Sequence, residues 1–457
     1  MEKEVIKLVF YGGVGTTTGA NMVLEFKNRK IMVDCGLLQG RREDEEKNFE
    51  NFKYDPKKID FLLITHAHMD HIGRVPKLVR EGFEGKIIST EETKELARPM
   101  LQDAFKVMKM KHPNKILFDE DDMAKAFSLW EGRRYREKVE LFEGCDLEMI
   151  NAGHILGSAI LNIKINNKTI TFTGDLGNSP SPLLPDTEIP EGVDYMVMES
   201  VYGDRNHESK GERRVKLKQA ILEGIKKRGA IIIPTFSIER TQVILYEINN
   251  MIEDKEIPQV PVFLDSPLAE KVTHIYKKYT VDFKESVKEE IKKGDDIFDF
   301  PNLHIVENTL ESRDIEKIEG AKIILAGSGM SEGGRVVNHE ANYLSDPKAT
   351  IILVGFQSVG SLGRAIQDGR KEIEIYINHK KEKVKIRAKI ENIMGFSSHK
   401  DSEHLLEFVE QVNTSPLKKV FVIMGEPKAS LFLSQRIHDY LDIEAIYPEE
   451  GKEYLLS

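Results

Sequence analysis

The sequence is poor in cysteine and has no long apolar segment. Its 457 residues include two cysteines, Cys35 and Cys145, too few for a disulfide framework and typical of a reducing compartment. No window approaches the roughly 18 uninterrupted apolar residues of a membrane-spanning helix. The first residues, MEKEVIKLVF, lack the apolar core of a signal peptide. These absences predict a cytoplasmic protein with no membrane partner.

The sequence also has fewer basic residues than acidic ones. The formal net charge of −10 argues weakly against a general polyanion binder, whose charge is usually basic, and it leaves local basic grooves open. A hydrophobic fraction of 40% and a charged fraction of 31% are typical of a folded globular chain. At this length we expect two or more lobes.

The pattern of apolar runs changes along the chain. Short β-rich runs dominate up to about residue 205, and strands return near the C-terminus. Between them, helical and strand patterns alternate, which predicts a parallel α/β arrangement with crossover helices. We therefore expect a first segment over residues 1–205, an inserted domain over 206–385, and a segment over 386–457 that closes the first lobe.

Histidines and an aspartate cluster directly after an apolar run, in ITHAHMDHIG (residues 64–73). Alternate side chains at a strand end point the same way, so His66 and His68 can reach one metal, and Asp70 and His71 can serve a second. Imidazole and carboxylate are the usual ligands of zinc and, less often, of iron or manganese. A single histidine is usually structural, but four ligand-capable residues in six positions favour a metal site.

Two later turns offer further ligands. His154 lies in AGHILGSA and Asp175 lies in FTGDLG. Each alone is typical of a turn-capping residue. Together with the histidine cluster, both are better interpreted as metal ligands.

These segments, in order and spacing and with VDCG (residues 33–36) ahead of them, resemble the metallo-β-lactamase fold, an αββα sandwich of the α/β class. The resemblance implies one metal on a set of three histidines, a second metal on an aspartate and a histidine, and an aspartate that bridges the two metals. It also implies a supporting carboxylate behind the ligands, Asp34. The three histidines are His66, His68 and His154. The aspartate and histidine of the second metal are Asp70 and His71, and the bridging aspartate is Asp175.

Motifs in the second half of the chain resemble the β-CASP nucleases. They include MESVYGDR (198–205), DSPLA (265–269), GSGM with GGR (327–335), GFQ (355–357), GSLGR (360–364) and FSSH (396–399). The resemblance implies an inserted parallel α/β β-CASP domain, and it places Glu199 and His399 on two of the family's catalytic motifs. It covers the prokaryotic RNases and the endonuclease subunit of the mRNA 3′-end cleavage machinery.

The resemblance implies a metal-dependent ribonuclease that hydrolyses phosphodiester bonds in RNA processing or decay. Two zinc ions, or manganese, would activate a bridging hydroxide as the nucleophile. Asp70 would orient that hydroxide or take its proton, and His399, held by Glu199, would protonate the leaving oxygen. Single-stranded RNA is the expected partner, with endonucleolytic and 5′-exonucleolytic cleavage both open. A homodimer is common among relatives.

We expect substrate handling in the inserted domain. Backbone N–H groups of residues 327–329 near a helix start form a candidate anion site, and arginines clamp phosphates bidentately. The alternative for each arginine is a surface salt bridge. The predicted contacts are Ser328, Gly329, Arg335, Arg364 and Arg240. A basic stretch, HKKEKVKIRAK (379–389), favours an exposed β-strand over a nucleic-acid contact.

One residue departs from the family pattern. RNA-directed relatives have His-Gly-Glu after a late strand, and that histidine completes the second metal site. Here Met424-Gly425-Glu426 follow the strand, and a thioether is a soft, weak ligand that does not replace an imidazole for zinc. The second metal is therefore expected to bind weakly. The alternatives are a DNA-directed β-CASP nuclease and a catalytically weak RNA-binding homologue.

Overall fold

The computed structural model describes residues 5–40, 42–207, 210–355, 357–358, 360–377, 380–413 and 417–457. It divides into two compact units. The first comprises Met1–Asn206 and His399–Ser457, and the second comprises His207–Ser398. Phe356 of the GFQ motif and His379 of the basic stretch lie outside the described residues.

The first unit contains two seven-stranded sheets. One has the order β22-β1-β2-β3-β4-β5-β6 and the other β21-β20-β11-β10-β9-β8-β7. The strands of this unit are β1 Ile6–Gly12, β2 Asn21–Phe26, β3 Arg29–Val33, β4 Phe61–Leu63, β5 Lys86–Thr90, β6 Trp130–Arg133, β7 Lys138–Phe142, β8 Cys145–Asn151, β9 Ala159–Ile165, β10 Lys168–Phe172, β11 Tyr195–Glu199, β20 Lys419–Ile423, β21 Glu444–Ile446 and β22 Glu453–Leu456.

The helices of the first unit are α1 Arg42–Lys47, α2 Met69–Ile72, α3 Val75–Arg80, α4 Glu91–Lys111, α5 Glu120–Ser128, α13 Ser402–Val412 and α14 Pro427–Leu441. One core lies between the two sheets, where Phe10 and Leu24 of the first pack with Leu161 and Phe421 of the second. A second core lies between the second sheet and the two C-terminal helices α13 and α14. This layering confirms the predicted sandwich.

The second unit is built on a six-stranded sheet of order β14-β13-β15-β12-β16-β19, in which every paired strand is parallel. A separate two-stranded hairpin, β17-β18, is antiparallel. The elements are α6 Lys210–Lys226, β12 Ala230–Pro234, α7 Arg240–Glu253, β13 Val262–Asp265, α8 Pro267–Lys278, α9 Glu285–Lys292, β14 Leu303–Ile305, α10 Thr309–Asp314, β15 Lys322–Ala326, α11 Val336–Tyr343, β16 Thr350–Leu353, α12 Leu362–Gln367, β17 Glu372–Ile377, β18 Lys380–Lys385 and β19 Lys389–Asn392. The alternation of strands and helices matches the predicted parallel α/β pattern.

The second boundary of the inserted unit differs from the expected one. It falls between Ser398 and His399, and the sequence pattern placed it at 385/386. The physical reason is β19, which follows the expected boundary yet pairs with β16 along its whole length, from Thr350–Lys389 to Leu353–Asn392. That ladder holds the strand in the inserted sheet.

Candidate metal centre

Three histidines and one aspartate converge in the first unit. His66 and His68 follow β4, His154 lies in the turn between β8 and β9, and Asp175 follows β10. The Nε2 of His66 lies 3.1 Å from the Nδ1 of His68 and 3.4 Å from the Oδ2 of Asp175. The Nε2 of His154 lies 3.2 Å from the same His68 atom and 3.5 Å from the same Asp175 atom. Four donor atoms therefore face one point.

These separations fit a bound metal ion. Zinc ligands lie about 2.0–2.1 Å from the ion in a tetrahedral site, so neighbouring donor atoms are about 3.3–3.4 Å apart. The observed separations of 3.1–3.5 Å bracket that value. The four residues fit a tetrahedral divalent site better than they fit a set of direct hydrogen bonds, since nitrogens without a shared proton repel each other at this distance.

Asp70, His71 and Asp175 form a second group around the other oxygen of Asp175. The Nε2 of His71 lies 3.4 Å from Asp175 Oδ1 and 3.8 Å from Asp70 Oδ2. Both His71 Nε2 and Asp175 Oδ1 are buried and have no hydrogen-bond partner among the described residues. Buried polar atoms are normally satisfied, so these two atoms fit a site whose partner is a cation.

Asp34 lies behind the second group. Its Oδ2 is 2.8 Å from His71 Nδ1, and because a carboxylate only accepts hydrogen bonds, Nδ1 carries a proton and Nε2 is the nitrogen with the lone pair in the neutral, metal-binding form of the ring. The same carboxylate accepts hydrogen bonds from the Thr65 backbone N–H at 2.9 Å and its hydroxyl at 2.8 Å. This is the supporting position that the family resemblance implied.

Thr65 is a functional residue that the sequence reasoning missed. Because its hydroxyl donates to Asp34, its oxygen accepts from His66 Nδ1, 3.1 Å away. That contact directs the lone pair of His66 Nε2 into the donor cluster. The signal in the sequence was its position directly before the first histidine of the motif, and the structure shows that Thr65 is almost fully buried.

Two glycines allow the ligand loops to approach each other. A Cβ on Gly36 would lie 1.5 Å from the backbone oxygen of Asp70, so no side chain fits there. Gly174 adopts a positive φ of 55°, and a Cβ on it would lie 2.7 Å from the Cβ of Thr65. These close contacts bring Asp70 and Asp175 to the histidine loop.

The histidines of the two groups differ in pKa. Burial lowers the pKa of His66, His68 and His154, which favours the neutral form that binds metal. Burial also lowers the pKa of His71, but the carboxylates of Asp175, Asp34 and Asp70 outweigh it and hold that pKa well above its usual range. The second group is therefore the more negatively charged of the two.

Glu199 and His399 lie beside Asp175. The His399 Nδ1 is 3.1 Å from Glu199 Oε2 and 3.9 Å from Asp175 Oδ2. Burial lowers the pKa of His399, yet the two carboxylates raise it to about 9 overall. The Leu176 backbone N–H donates to Glu199 Oε1 at 2.6 Å and fixes that carboxylate. The two residues that separate motifs predict to be catalytic thus form one hydrogen-bonded pair.

Met424 follows β20 and adopts a positive φ of 48°. It is 3% exposed and packs in the core between the two sheets. Its backbone N–H donates to Gly13 O at 2.7 Å, and its carbonyl accepts from Ser200 N at 3.3 Å. Within the described residues the second group has three histidine or carboxylate donors from the chain, and Met424 offers a thioether in place of an imidazole.

The residues predicted to bind substrate lie in the second unit, where two of the arginines have internal partners. Arg335 donates to Asp265 Oδ1 at 2.6 Å and to the carbonyls of Val306 and Glu307. Arg240 is buried and donates to the Val354 carbonyl at 2.7 Å. These contacts favour structural roles for both arginines, and a phosphate contact by either stays a prediction.

The other predicted contacts are more accessible or are backbone groups. Arg364 is part-exposed and pairs with Asp368 one helical turn away, at 2.9 Å. The Ser328 backbone N–H donates to Gly333 O at 3.2 Å. The helix that follows, α11, begins at Val336, so residues 327–329 precede it by a full loop and do not form its first turn. Anion binding at Ser328 or Gly329 stays a prediction.

The fold and this cluster define a metal-dependent hydrolase of the metallo-β-lactamase superfamily. Residues 23–191 match the metallo-beta-lactamase superfamily domain. Residues 241–366 match the Beta-Casp domain, and residues 383–448 match the Zn-dependent metallo-hydrolase RNA specificity domain.

Curated relatives match along most of the chain. A ribonuclease from Thermus thermophilus is 33% identical over 430 residues, which cover 94% of this chain and 95% of that protein. An RNase J-like protein from Methanocaldococcus jannaschii is 30% identical, covering 98% and 99% of the two chains. The transcription termination factor FttA of Methanosarcina mazei is 29% identical, covering 96% of this chain and 70% of that protein. The chain belongs to the β-CASP family of metallo-β-lactamase-fold hydrolases.

A solved structure supports the fold alone. A crystal structure of a protein of unknown function from Enterococcus faecalis covers 99% of this chain and 100% of its own, with a TM-score of 0.57 and 13% sequence identity. Among the described residues, no helix has the length and apolarity needed to cross a membrane.

Proposed function

We propose that this protein is a metal-dependent ribonuclease that hydrolyses phosphodiester bonds in RNA. The observation that carries the proposal is the shared carboxylate of Asp175, with a histidine trio on one side, an Asp-His pair on the other and the Glu199–His399 pair beside it. The relatives named as ribonuclease and RNase J-like protein, and the match to an RNA specificity domain, support RNA as the substrate.

We propose zinc at both groups. Imidazole nitrogens and a carboxylate oxygen are the donors zinc prefers, and the carboxylate-rich second group also suits manganese. A bound divalent ion would supply positive charge for the phosphate oxygens. It would also lower the pKa of a bound water, so that hydroxide is available near neutral pH. His66, His68, His154 and Asp175 would hold the first ion, and Asp70, His71 and Asp175 the second.

The chain's own residues have separate tasks in this mechanism. Asp70 lies at the open side of the second group and accepts a proton at its carboxylate or orients the attacking water. Glu199 fixes the ring of His399 through Nδ1, so the imidazole is oriented before substrate arrives. His399 donates a proton to the leaving oxygen, since an oriented imidazolium next to two carboxylates is a competent acid.

The test is cleavage of end-labelled single-stranded RNA with Zn²⁺ or Mn²⁺, compared with a DNA oligonucleotide of the same sequence. We expect the RNA to be cut, with a rate loss of at least about a hundredfold in Asp70→Asn. Asp121→Asn is the matched control, because Asp121 is an exposed aspartate of the same unit. Unchanged RNA cleavage by Asp70→Asn would overturn the mechanism.

A second candidate function is a DNA-directed nuclease. The observation that favours it is Met424 at the position where RNA-directed relatives have histidine. Equal or faster cleavage of the DNA oligonucleotide in the same assay would select it over the ribonuclease.

We also propose a cytoplasmic location and a homodimer. The location is supported by two cysteines that are both buried and unpaired. The dimer is supported by the resemblance to family members, and the mass of the protein in solution tests it.

A further inference from the structure

Positive charge is concentrated in one short stretch of an otherwise acidic chain. The whole sequence has a formal net charge of −10, yet residues 370–389 contain eight lysines and arginines against three glutamates. The stretch includes hairpin strands β17 and β18 and the residues that flank them. A local excess of this kind is the footprint of a polyanion contact, or of an edge strand protected from aggregation.

The hairpin separates its apolar side chains from most of its charged ones, and Glu382, opposite Ile375, is the exception. In the ladder, Ile373 lies opposite Val384, and these two residues with Ile375 are buried in the core of the inserted unit. The opposite face has Glu372 opposite Lys385, Glu374 opposite Lys383 and Tyr376 opposite Lys381. Because strand side chains alternate between faces, the hairpin is anchored by one face and presents the other to solvent.

The exposed face presents a row of cations. Lys381, Lys383, Lys385 and Arg387 are all exposed and occupy alternate positions along the chain. Alternate residues of a strand lie about 6.6–6.8 Å apart, so the cations of β18 form a line rather than a cluster. A line of evenly spaced cations complements the extended, evenly charged backbone of a single strand better than a compact anion.

The acidic residues on this face neutralise only part of the row. Lys381 pairs with Glu374, and Lys383 lies 3.8 Å from Glu372. Lys385 and Arg387 have no acidic partner within the described residues. Arg370 and Lys371, just before β17, are also exposed. The end of the hairpin next to the protein body therefore keeps uncompensated positive charge.

An aromatic ring accompanies the cations. Tyr376 is 67% exposed and faces Lys381 across the ladder. The exposed ring is accessible to a base, and it lies on the same face of the hairpin as the lysines. Cations that follow a backbone, with an aromatic ring on which a base stacks, are the two elements of single-strand recognition.

We propose that the β17–β18 hairpin is a docking surface for single-stranded RNA outside the metal centre, with Lys383, Lys385 and Arg387 on phosphates and Tyr376 stacked on a base. This inference rests on the proposed ribonuclease function and adds a place where the substrate binds. It also combines the two interpretations of the basic stretch, since an exposed strand is the element that presents the cations.

The first experiment removes the charges. In Lys383→Gln/Lys385→Gln/Arg387→Gln we expect the affinity for a fluorescent single-stranded RNA to fall about tenfold at moderate salt. The slope of log affinity against log salt should decrease by about 2, since each lost phosphate contact contributes about 0.7. The matched control is Lys226→Gln/Lys292→Gln/Lys293→Gln, which removes three exposed cations elsewhere in the inserted unit. An equal loss in both variants would overturn the proposal in favour of a general charge effect.

The second experiment tests the ring. We expect Tyr376→Ala to weaken RNA binding at least about fivefold and Tyr376→Phe to retain it, because stacking needs the ring and not the hydroxyl. Unchanged affinity in Tyr376→Ala would contradict the stacking contact. An equal loss of RNA affinity in Tyr376→Phe and Tyr376→Ala would also contradict it.

Hydrolysis of bis(p-nitrophenyl) phosphate separates this proposal from the proposed function. That small diester reports on the metal centre and is too short to span a separate surface. We expect all hairpin variants to hydrolyse it at the wild-type rate, and on RNA to show a raised KM with unchanged kcat. No hydrolysis by the wild type would refute the proposed phosphodiesterase function. If the triple variant hydrolysed the small diester at the wild-type rate and also bound RNA with wild-type affinity, the RNA-docking proposal would be refuted and the proposed function would stand.

Discussion

The two ligand groups that share Asp175 are unequal. On one side, three histidine nitrogens and one carboxylate oxygen lie within 3.1–3.5 Å of their neighbours, which is a full tetrahedral set from the chain alone. On the other side, the chain supplies Asp70, His71 and the second Asp175 oxygen, and Met424 at the end of β20 adds no imidazole. A complete set retains its ion, whereas an incomplete set leaves a coordination position for substrate. The difference predicts one firmly held metal and one exchangeable metal.

The largest effect should come from the residue that both groups use. In Asp175→Asn we expect metal content near zero after dialysis and a loss of phosphodiester hydrolysis of at least about a hundredfold, because even supporting residues cost 10- to about 100-fold. Elemental analysis of the protein and the hydrolysis rate measure the two effects. One metal retained per chain would show that the groups do not depend on Asp175 equally.

Removing one histidine from each side should separate the groups. We expect His71→Ala to keep one tightly bound metal per chain and His154→Ala to lose it, since only the second change breaks the complete set. Zinc content after exposure to a graded series of chelator concentrations measures the difference. The same metal content in both variants would contradict the expectation that the first group holds its metal more tightly than the second.

A supporting residue should have a smaller effect. Asp34→Asn removes the carboxylate that holds the proton on His71 Nδ1, and asparagine tolerates the positive φ of 57° at this position. We expect the second metal to bind about 10- to 100-fold more weakly, with little change in the first. Calorimetric titration with Mn²⁺ resolves the two sites. Weakening of the first site alone would contradict the assignment of Asp34.

The smallest effect should be a gain in affinity for the second metal. Histidine is tolerated at positive φ better than most residues, so Met424→His can supply the missing imidazole at the end of β20. We expect about tenfold tighter binding of the second metal, with metal content rising from about one to two per chain. Met424→Leu is the matched control, because it conserves volume without adding a donor. Equal metal affinity in both variants would show that Met424 does not limit the second site.

The short motifs predicted which histidines and aspartates would cluster, because most of these residues are close in sequence. Four of the ligand-capable side chains lie within six positions, and the strand-to-loop geometry alone predicts that they converge. The sandwich and the parallel inserted sheet were likewise confirmed, since both depend on periodicity that a single segment displays.

Long-range partners were harder to predict. Arg335 appears in sequence as a free cation, but its carboxylate partner, Asp265, lies 70 residues earlier. The boundary expected at 385/386 differs from that of the compact unit for a related reason: β19 belongs to its sheet through pairing with β16, which no local pattern records. Thr65 was missed because a threonine before a histidine has many ordinary structural explanations until the positions of Asp34 and His66 are known.

The pair of Glu199 and His399 is formed across 200 residues of sequence, with the whole inserted unit between them. All six ligands of the two metal groups, by contrast, precede residue 176. A chain emerging from the ribosome therefore carries every metal ligand long before it carries His399. Strands β20, β21 and β22, which complete the two sheets around these ligands, are made later still, so under the proposed mechanism we expect the competence to cut RNA only once the C-terminal segment has been synthesised.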